Sequence, residues 1–339
     1  MTLTEAAADP LATMPKNKRA YVIPDLKLLY VSMAKNACTS LKWLMAELAG
    51  EDLARFRPGL GNATTPEEAI HNRARWQRTP RLGDLDPALR AQIHPDNGWF
   101  VFAVVRDPRV RVFSAWENKF LLHNPKYAGL SDRSWFPRPP ASAETVIEDF
   151  AKFVAMLESS PADRLHKDSH FSTQKRLLVE RVVPYSRIYD IAELGELQSH
   201  LSAHLAEQGC AVPVRLRHSN DTPLAANAAV FGGGVREAIE RIYAADFERF
   251  GHHWDFAKVE ARPEWSTEAL RHAQAVVAMD ERICELREIA ARALQQKRAL
   301  EKRVSRLEAK PRRAPRPAPS LTTRVKRRAK RELRSLLGR

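Results

Sequence analysis

The chain has 339 residues, 44% of them hydrophobic, and a formal net charge of +14. That apolar content is ordinary for a globular protein with a sizeable core. Residues 311–339 hold eleven Lys or Arg and a single acid, Glu332, so the first 310 residues carry only +4 and the basic character is a C-terminal device.

The three cysteines, Cys38, Cys210 and Cys284, are odd in number, far apart and at no metal-binding spacing. They argue against a disulfide framework and for a reducing compartment. The first twenty residues lack the apolar run of a signal peptide, and no stretch reaches membrane-spanning length. The expectation is a soluble, cytoplasmic protein.

Residues 1–18 are polar and small and read as a flexible N-terminus. The run 28–33 (Leu-Leu-Tyr-Val-Ser-Met) is a short apolar strand of the kind buried in parallel sheets. A helix is predicted over 39–48, where Leu41, Leu44, Met45 and Leu48 share one face. Helical hints follow at 66–78 and 87–92. A second buried strand is predicted over 99–105. It stops at Arg106-Asp107-Pro108, because proline fixes φ and lacks an amide hydrogen, and a helix can begin there. Residues 125–142, rich in Pro, Gly, Ser and aromatics, read as an ordered loop or lid. A helix over 145–158 buries Val146, Ile147, Phe150, Phe153, Val154 and Leu157. A strand lies within 185–191, and helices are predicted over 193–207 and 235–249.

Past Pro263 the pattern changes. Val276, Met279, Ile283, Leu286, Ala290, Ala293, Lys297, Leu300, Val304 and Leu307 follow a heptad, with only Lys297 polar. The pattern predicts a coiled coil and a homo-oligomer through 276–307. The alternative is one long amphipathic helix folded on its own domain. A Pro/Arg linker then leads to a basic segment in which Leu321, Val325, Leu333, Leu336 and Leu337 allow an amphipathic helix. The domain expectation is a main domain over 19–262, a long helix over 263–310 and a basic tail over 311–339.

Two motifs carry chemistry. Met33-Ala34-Lys35-Asn36-Ala37-Cys38-Thr39-Ser40-Leu41-Lys42 joins a strand to a helix. A helix N-terminus offers unpaired amides and partial positive charge, Lys35 adds a full charge, and Thr39 and Ser40 add hydroxyls. The logic is that of a nucleotide phosphate loop, without the Walker glycines; the bland alternative is a surface lysine beside an ordinary helix cap. The second motif is Arg106-Asp107-Pro108 with Ser114 eight residues beyond Arg106. Arg106 follows the carboxyl end of a strand, where open α/β sheets bind ligands, and arginine grips phosphate with a forked donor pair. Ser114, two helical turns on, can face the same side; the bland alternative is a surface arginine and a helix-interior serine. Asp107 is placed to cap the helix.

These residues resemble the carbohydrate sulfotransferases, in particular the group that includes the HNK-1 and chondroitin/dermatan 4-O enzymes. Residues 104–116 (Val-Val-Arg-Asp-Pro-Arg-Val-Arg-Val-Phe-Ser-Ala-Trp) carry the strongest likeness, supported by Asp168-Ser169-His170-Phe171, Ile188-Tyr189-Asp190, Arg217-His218-Ser219-Asn220 and residues 242–251. The resemblance spans about residues 20–255. It implies an α/β sulfotransferase fold, P-loop-NTPase-like, with a parallel sheet flanked by helices. It also implies a donor, 3′-phosphoadenosine-5′-phosphosulfate (PAPS), and no metal. Lys35 to Ser40 would bind the 5′-phosphosulfate, through Lys35, Asn36, Ala37, Cys38, Thr39 and Ser40. Arg106 and Ser114 would bind the 3′-phosphate. Ala34 stands where the family often has proline, and the membrane anchor and cysteine pairs of animal members are missing from the pattern.

In-line sulfuryl transfer to a hydroxyl of a carbohydrate or glycolipid is the implied reaction. Lys35 is the expected stabiliser of the leaving phosphate. His170 leads as general base, His94 is the runner-up, and His123 and Glu117 follow; Gln174 and Lys175 are candidates for contact with donor or acceptor. Two rivals stand beside this one: a nucleotide phosphotransferase, and a basic coiled-coil binding protein. For the tail, an anionic membrane surface on the inner face of the membrane is expected in preference to nucleic acid.

Overall fold

The structure is a computed structural model that describes residues 10–13, 19–57, 65–217, 222–308 and 320–336. Its sheet has four strands in the order β1 (Ala20–Ile23), β2 (Leu28–Val31), β3 (Phe100–Val105) and β4 (Arg187–Asp190). β1 runs antiparallel to β2, whereas β2, β3 and β4 are parallel, with Leu29 opposite Val101 and Val105 opposite Asp190.

The helices are α1 (Cys38–Leu48), α2 (Pro66–Ala69), α3 (Pro87–Ala91), α4 (Pro108–Trp116), α5 (Ala143–Ser159), α6 (Gln174–Leu178), α7 (Leu194–Glu207), α8 (Val235–Ile242), α9 (Ala244–Phe250), α10 (Ala257–Glu260), α11 (Thr267–Glu308) and α12 (Leu321–Leu336). The architecture is mixed α/β, a mostly parallel sheet flanked by helices.

Alternating strand residues build a core on each side of the sheet. Tyr30, Phe102, Val104 and Tyr189 face Leu41, Leu44, Leu197 and Leu201 of α1 and α7. Leu29, Val31, Val101, Ala103 and Val105 pack with Leu177, Leu178 and Phe250. A third core joins α4, α5, α8 and the start of α11 around Phe113, Trp116, Phe120, Phe150 and Phe153.

Several expectations are corrected. The sheet is not wholly parallel, because β1 adds an antiparallel edge. The helix expected over 66–78 closes after Ala69, where the Trp76 indole donates to Ile70 O at 2.9 Å and folds the segment back. The helix expected over 235–249 is divided at Tyr243, which is buried and donates to Phe171 O at 2.8 Å.

The chain forms two compact units, Met1–Cys284 and Glu285–Arg339. In the first, Ala273 and Val277 of α11 are buried and Val276, the first heptad residue, packs on the protein's own core. In the second, Leu286, Leu300, Val304 and Leu307 are exposed. Of the tail, 311–319 and Leu337 lie outside the described residues.

Candidate active site

The carboxyl ends of parallel strands collect loops at one edge of a sheet. Here β2 and β3 end beside each other, so the segments that follow them, 32–37 and 106–107, border one cavity of about 680 Å³. Lys35, Thr39, Ser40, Arg106, Ser114 and His170 all line it.

The first wall is the turn into α1. Lys35 and Ala37 have φ of 69° and 54°, in the left-handed region where a glycine would sit without strain. Ala37 occupies the N-cap and gives the first amides of α1 no side-chain oxygen, so the positive end of the helix opens on the cavity. Asn36 is buried beneath: its Nδ2 donates to Val104 O at 2.8 Å and to Gln174 Oε1 at 2.6 Å, pinning the turn to the end of β3.

The second wall begins at Arg106. Its backbone N donates to Gln174 Oε1 at 3.0 Å, and Gln174 Nε2 donates back to Arg106 O at 2.8 Å. Its guanidinium donates to Lys35 O at 3.1 Å. Asp107 caps α4 through Arg109 N at 2.9 Å and pairs with the Arg109 guanidinium at 2.6 Å, so it builds the helix start. Arg111 is buried and donates to Ala34 O, Ser169 O and Ser172 O, tying three segments of the site together.

Two cations at this junction make no direct ion pair, although Glu117 acts on Lys35 and Asp107 and Asp190 on Arg106 from further off. Among the described residues, neither Lys35 nor Arg106 has a carboxylate within 4.0 Å. Burial, then the nearby Lys119, lowers Lys35 to about 8. Burial, then Arg262, lowers Arg106 to about 10. A partly buried charge without a direct partner is costly, and an anion bound between the two would relieve that cost.

The third wall carries an Asp–His pair. His170 Nδ1 lies 2.7 Å from Asp168 Oδ1, and Tyr127 OH donates to Asp168 Oδ2 at 3.3 Å. Burial depresses His170 to about 4, against the opposing pull of Asp168, so the imidazole is neutral at pH 7. Its proton then sits on Nδ1, facing the carboxylate, and Nε2 keeps a lone pair.

Sequence reasoning gave Lys42 no role and missed His71. Lys42 Nζ lies 2.7 Å from His71 Nδ1, and His71 Nε2 lies 3.1 Å from Thr39 Oγ1; all three residues line the cavity. An ammonium has only donors, so Nδ1 accepts, Nε2 carries the proton, and Thr39 Oγ1 is the acceptor. Burial first, and Lys42 second, hold His71 well below its ordinary pKa. The helical i, i+3 spacing of Thr39 and Lys42 was available in the sequence; nothing there pointed to His71. Arg19, Lys119, Lys126 and Arg217 add cations to the cavity lining, with Glu67 and Glu68 as its acids.

Other expected site residues lie elsewhere. His94 sits before β3, at the amino end of the parallel strands, and is 48% exposed with Nδ1 accepting from Asp96 N at 3.2 Å. The six-residue strand separates it from Arg106 by roughly 17 Å of backbone rise, and it does not border the cavity. His123 Nδ1 pairs with Glu281 at 2.9 Å. Glu117 is fully buried in a π-helical turn after α4, accepting from Leu224 N at 2.7 Å. Gln174 is the brace already described. Lys175 N is held by Asp246 at 2.8 Å and its ammonium by Glu248 at 3.0 Å. Arg217 pairs with Glu47 at the cavity edge, and 218–220 lie outside the described residues.

Residues 18–253, well over half of the chain, match the model of a family described as "Sulfotransferase family". No solved structure matches the chain.

Proposed function

The chain belongs to the sulfotransferase family, and from that premise we propose that it transfers the sulfuryl group of PAPS to a hydroxyl of a carbohydrate or glycoconjugate. The observation that carries this reading is the pair of half-buried cations, Lys35 and Arg106, at the ends of adjacent parallel strands with no direct ion-pair partner among the described residues. They suit a ligand with two separate anionic groups.

In this reading Lys35 and the first turn of α1 hold the 5′-phosphosulfate, while Arg106 and Ser114 hold the 3′-phosphate. His170 Nε2 takes the proton of the acceptor hydroxyl, and Asp168 stabilises the imidazolium that results. As the acceptor oxygen bonds to sulfur, the bond from sulfur to the phosphate oxygen breaks. Lys35 stabilises the charge left on that oxygen. The products are a sulfate ester and 3′,5′-adenosine bisphosphate.

The test incubates the full chain with PAPS and a metabolite extract and searches by mass spectrometry for hydroxyl compounds that gain a sulfate. Calorimetry with PAPS and ATP separates this reading from a nucleotide phosphotransferase. Sulfated products and tight binding of 3′,5′-adenosine bisphosphate are expected. Uptake of ATP with none of either adenosine bisphosphate or PAPS would overturn the proposal.

A further inference from the structure

The cavity accounts for the proposed chemistry, but α12 has no part in it. This helix holds seven Lys or Arg and one acid. At 100° per residue, Leu321, Val325, Ala329 and Leu333 fall within an arc of about 120°, and the cations cover most of the remaining circumference. The apolar arc is open to solvent: Leu321 is 81% exposed, Val325 62% and Leu333 61%. Glu332, the one acid inside the arc, pairs with Arg328 at 3.1 Å.

We propose that α12 docks the protein flat on an anionic lipid surface, with its apolar arc among the acyl chains and its cations at the headgroups. Both halves of that surface have a use only there. Apolar side chains gain by leaving water, and Lys and Arg beside them meet lipid phosphates. A nucleic acid would engage the cations and leave the apolar arc in water. A second copy of the helix would cover the arc, but Lys326 and Arg328 border it on either side, so pairing would set like charges against each other. Sixteen residues span only about 24 Å as a helix, and no described helix is long and apolar enough to cross a membrane. An in-plane position is the geometry left. The docking does not depend on the reaction proposed above.

The experiment floats the full chain with phosphatidylcholine vesicles, with and without phosphatidylglycerol. Binding to the anionic vesicles alone is expected, weakening as salt rises. Two variants separate the contributions, each checked by circular dichroism for an intact fold. Arg324→Gln with Lys326→Gln, Arg327→Gln and Arg331→Gln removes four cations and keeps the arc. Its partition coefficient should fall by several hundredfold or so. Val325→Ser with Leu333→Ser keeps every cation and removes half the arc, and should lower partitioning roughly tenfold or more. Equal binding to neutral vesicles, no binding to either, full binding by the serine pair, or capture of duplex DNA in place of vesicles would each overturn the proposal.

Discussion

Replacing Glu117 with Gln should make the protein more stable at pH 8 and leave it unchanged near pH 4.5. Glu117 is fully buried, with Oε1 accepting from Leu224 N and Oε2 without a hydrogen-bond partner among the described residues. Burial raises its carboxyl from 4.5 to about 7, and hydrogen bonds from Thr222 and Leu224 and the charges of Lys35 and Arg106 offset only part of that rise. Between these two values the folded protein keeps a proton that the unfolded chain has lost. Stability therefore declines as pH rises through that window and levels off above it. At 1.36 kcal/mol per unit, the displacement corresponds to roughly 3 kcal/mol. Glutamine retains an oxygen for Leu224 N and cannot ionise, so it mimics the protonated acid at every pH. Urea unfolding of both proteins from pH 4.5 to 8 reads the difference directly. A difference that stays flat across that range would show that Glu117 is not held protonated by its surroundings, and the reasoning would fail.

Lys35→Ala should lower donor-dependent turnover by about 10²–10³, the usual cost of removing one preorganised group at a developing charge; Arg106→Ala should weaken donor binding by roughly 10–100-fold, measured by calorimetry with 3′,5′-adenosine bisphosphate. Gln174→Leu deprives Asn36 Nδ2, Arg106 N and Arg106 O of a buried partner. It should destabilise the protein by about 2–4 kcal/mol in urea unfolding, allowing for the bond that Asn36 keeps with Val104 O. The profile of kcat/KM against pH should be bell-shaped. Its acid limb, near 4, belongs to His170, which must be neutral to accept a proton, and its alkaline limb, near 8, to Lys35, which must be charged. His170→Ala should remove the acid limb, and a profile that keeps it would reassign the base.

The parts of the fold legible in the sequence are those where burial overrides every other signal. β2 and β3 are apolar on both faces, so they appear as continuous runs, and the helices after them follow from capping and periodicity. β1 escaped notice because its four residues, all buried, show neither alternation nor length. The phosphate-loop motif was legible in Lys35 and the hydroxyls after it, but its missing glycines left it ambiguous. In the folded chain Lys35 and Ala37 themselves take left-handed conformations, where glycine would sit without strain. His71 was beyond reach, because its partners Lys42 and Thr39 lie 29 and 32 residues away and only the folded chain brings them together. His94 is placed by chain order alone: it precedes β3 and so sits at the amino end of the parallel strands. In a parallel sheet the amino end lies away from the loops that carry Lys35 and Arg106. Lys35 and Arg106 leave β2 and β3 at the carboxyl end, so parallel pairing forces two cations into one buried space. Hydrophobic strands thus determine where the charges meet, and the charges determine what can bind.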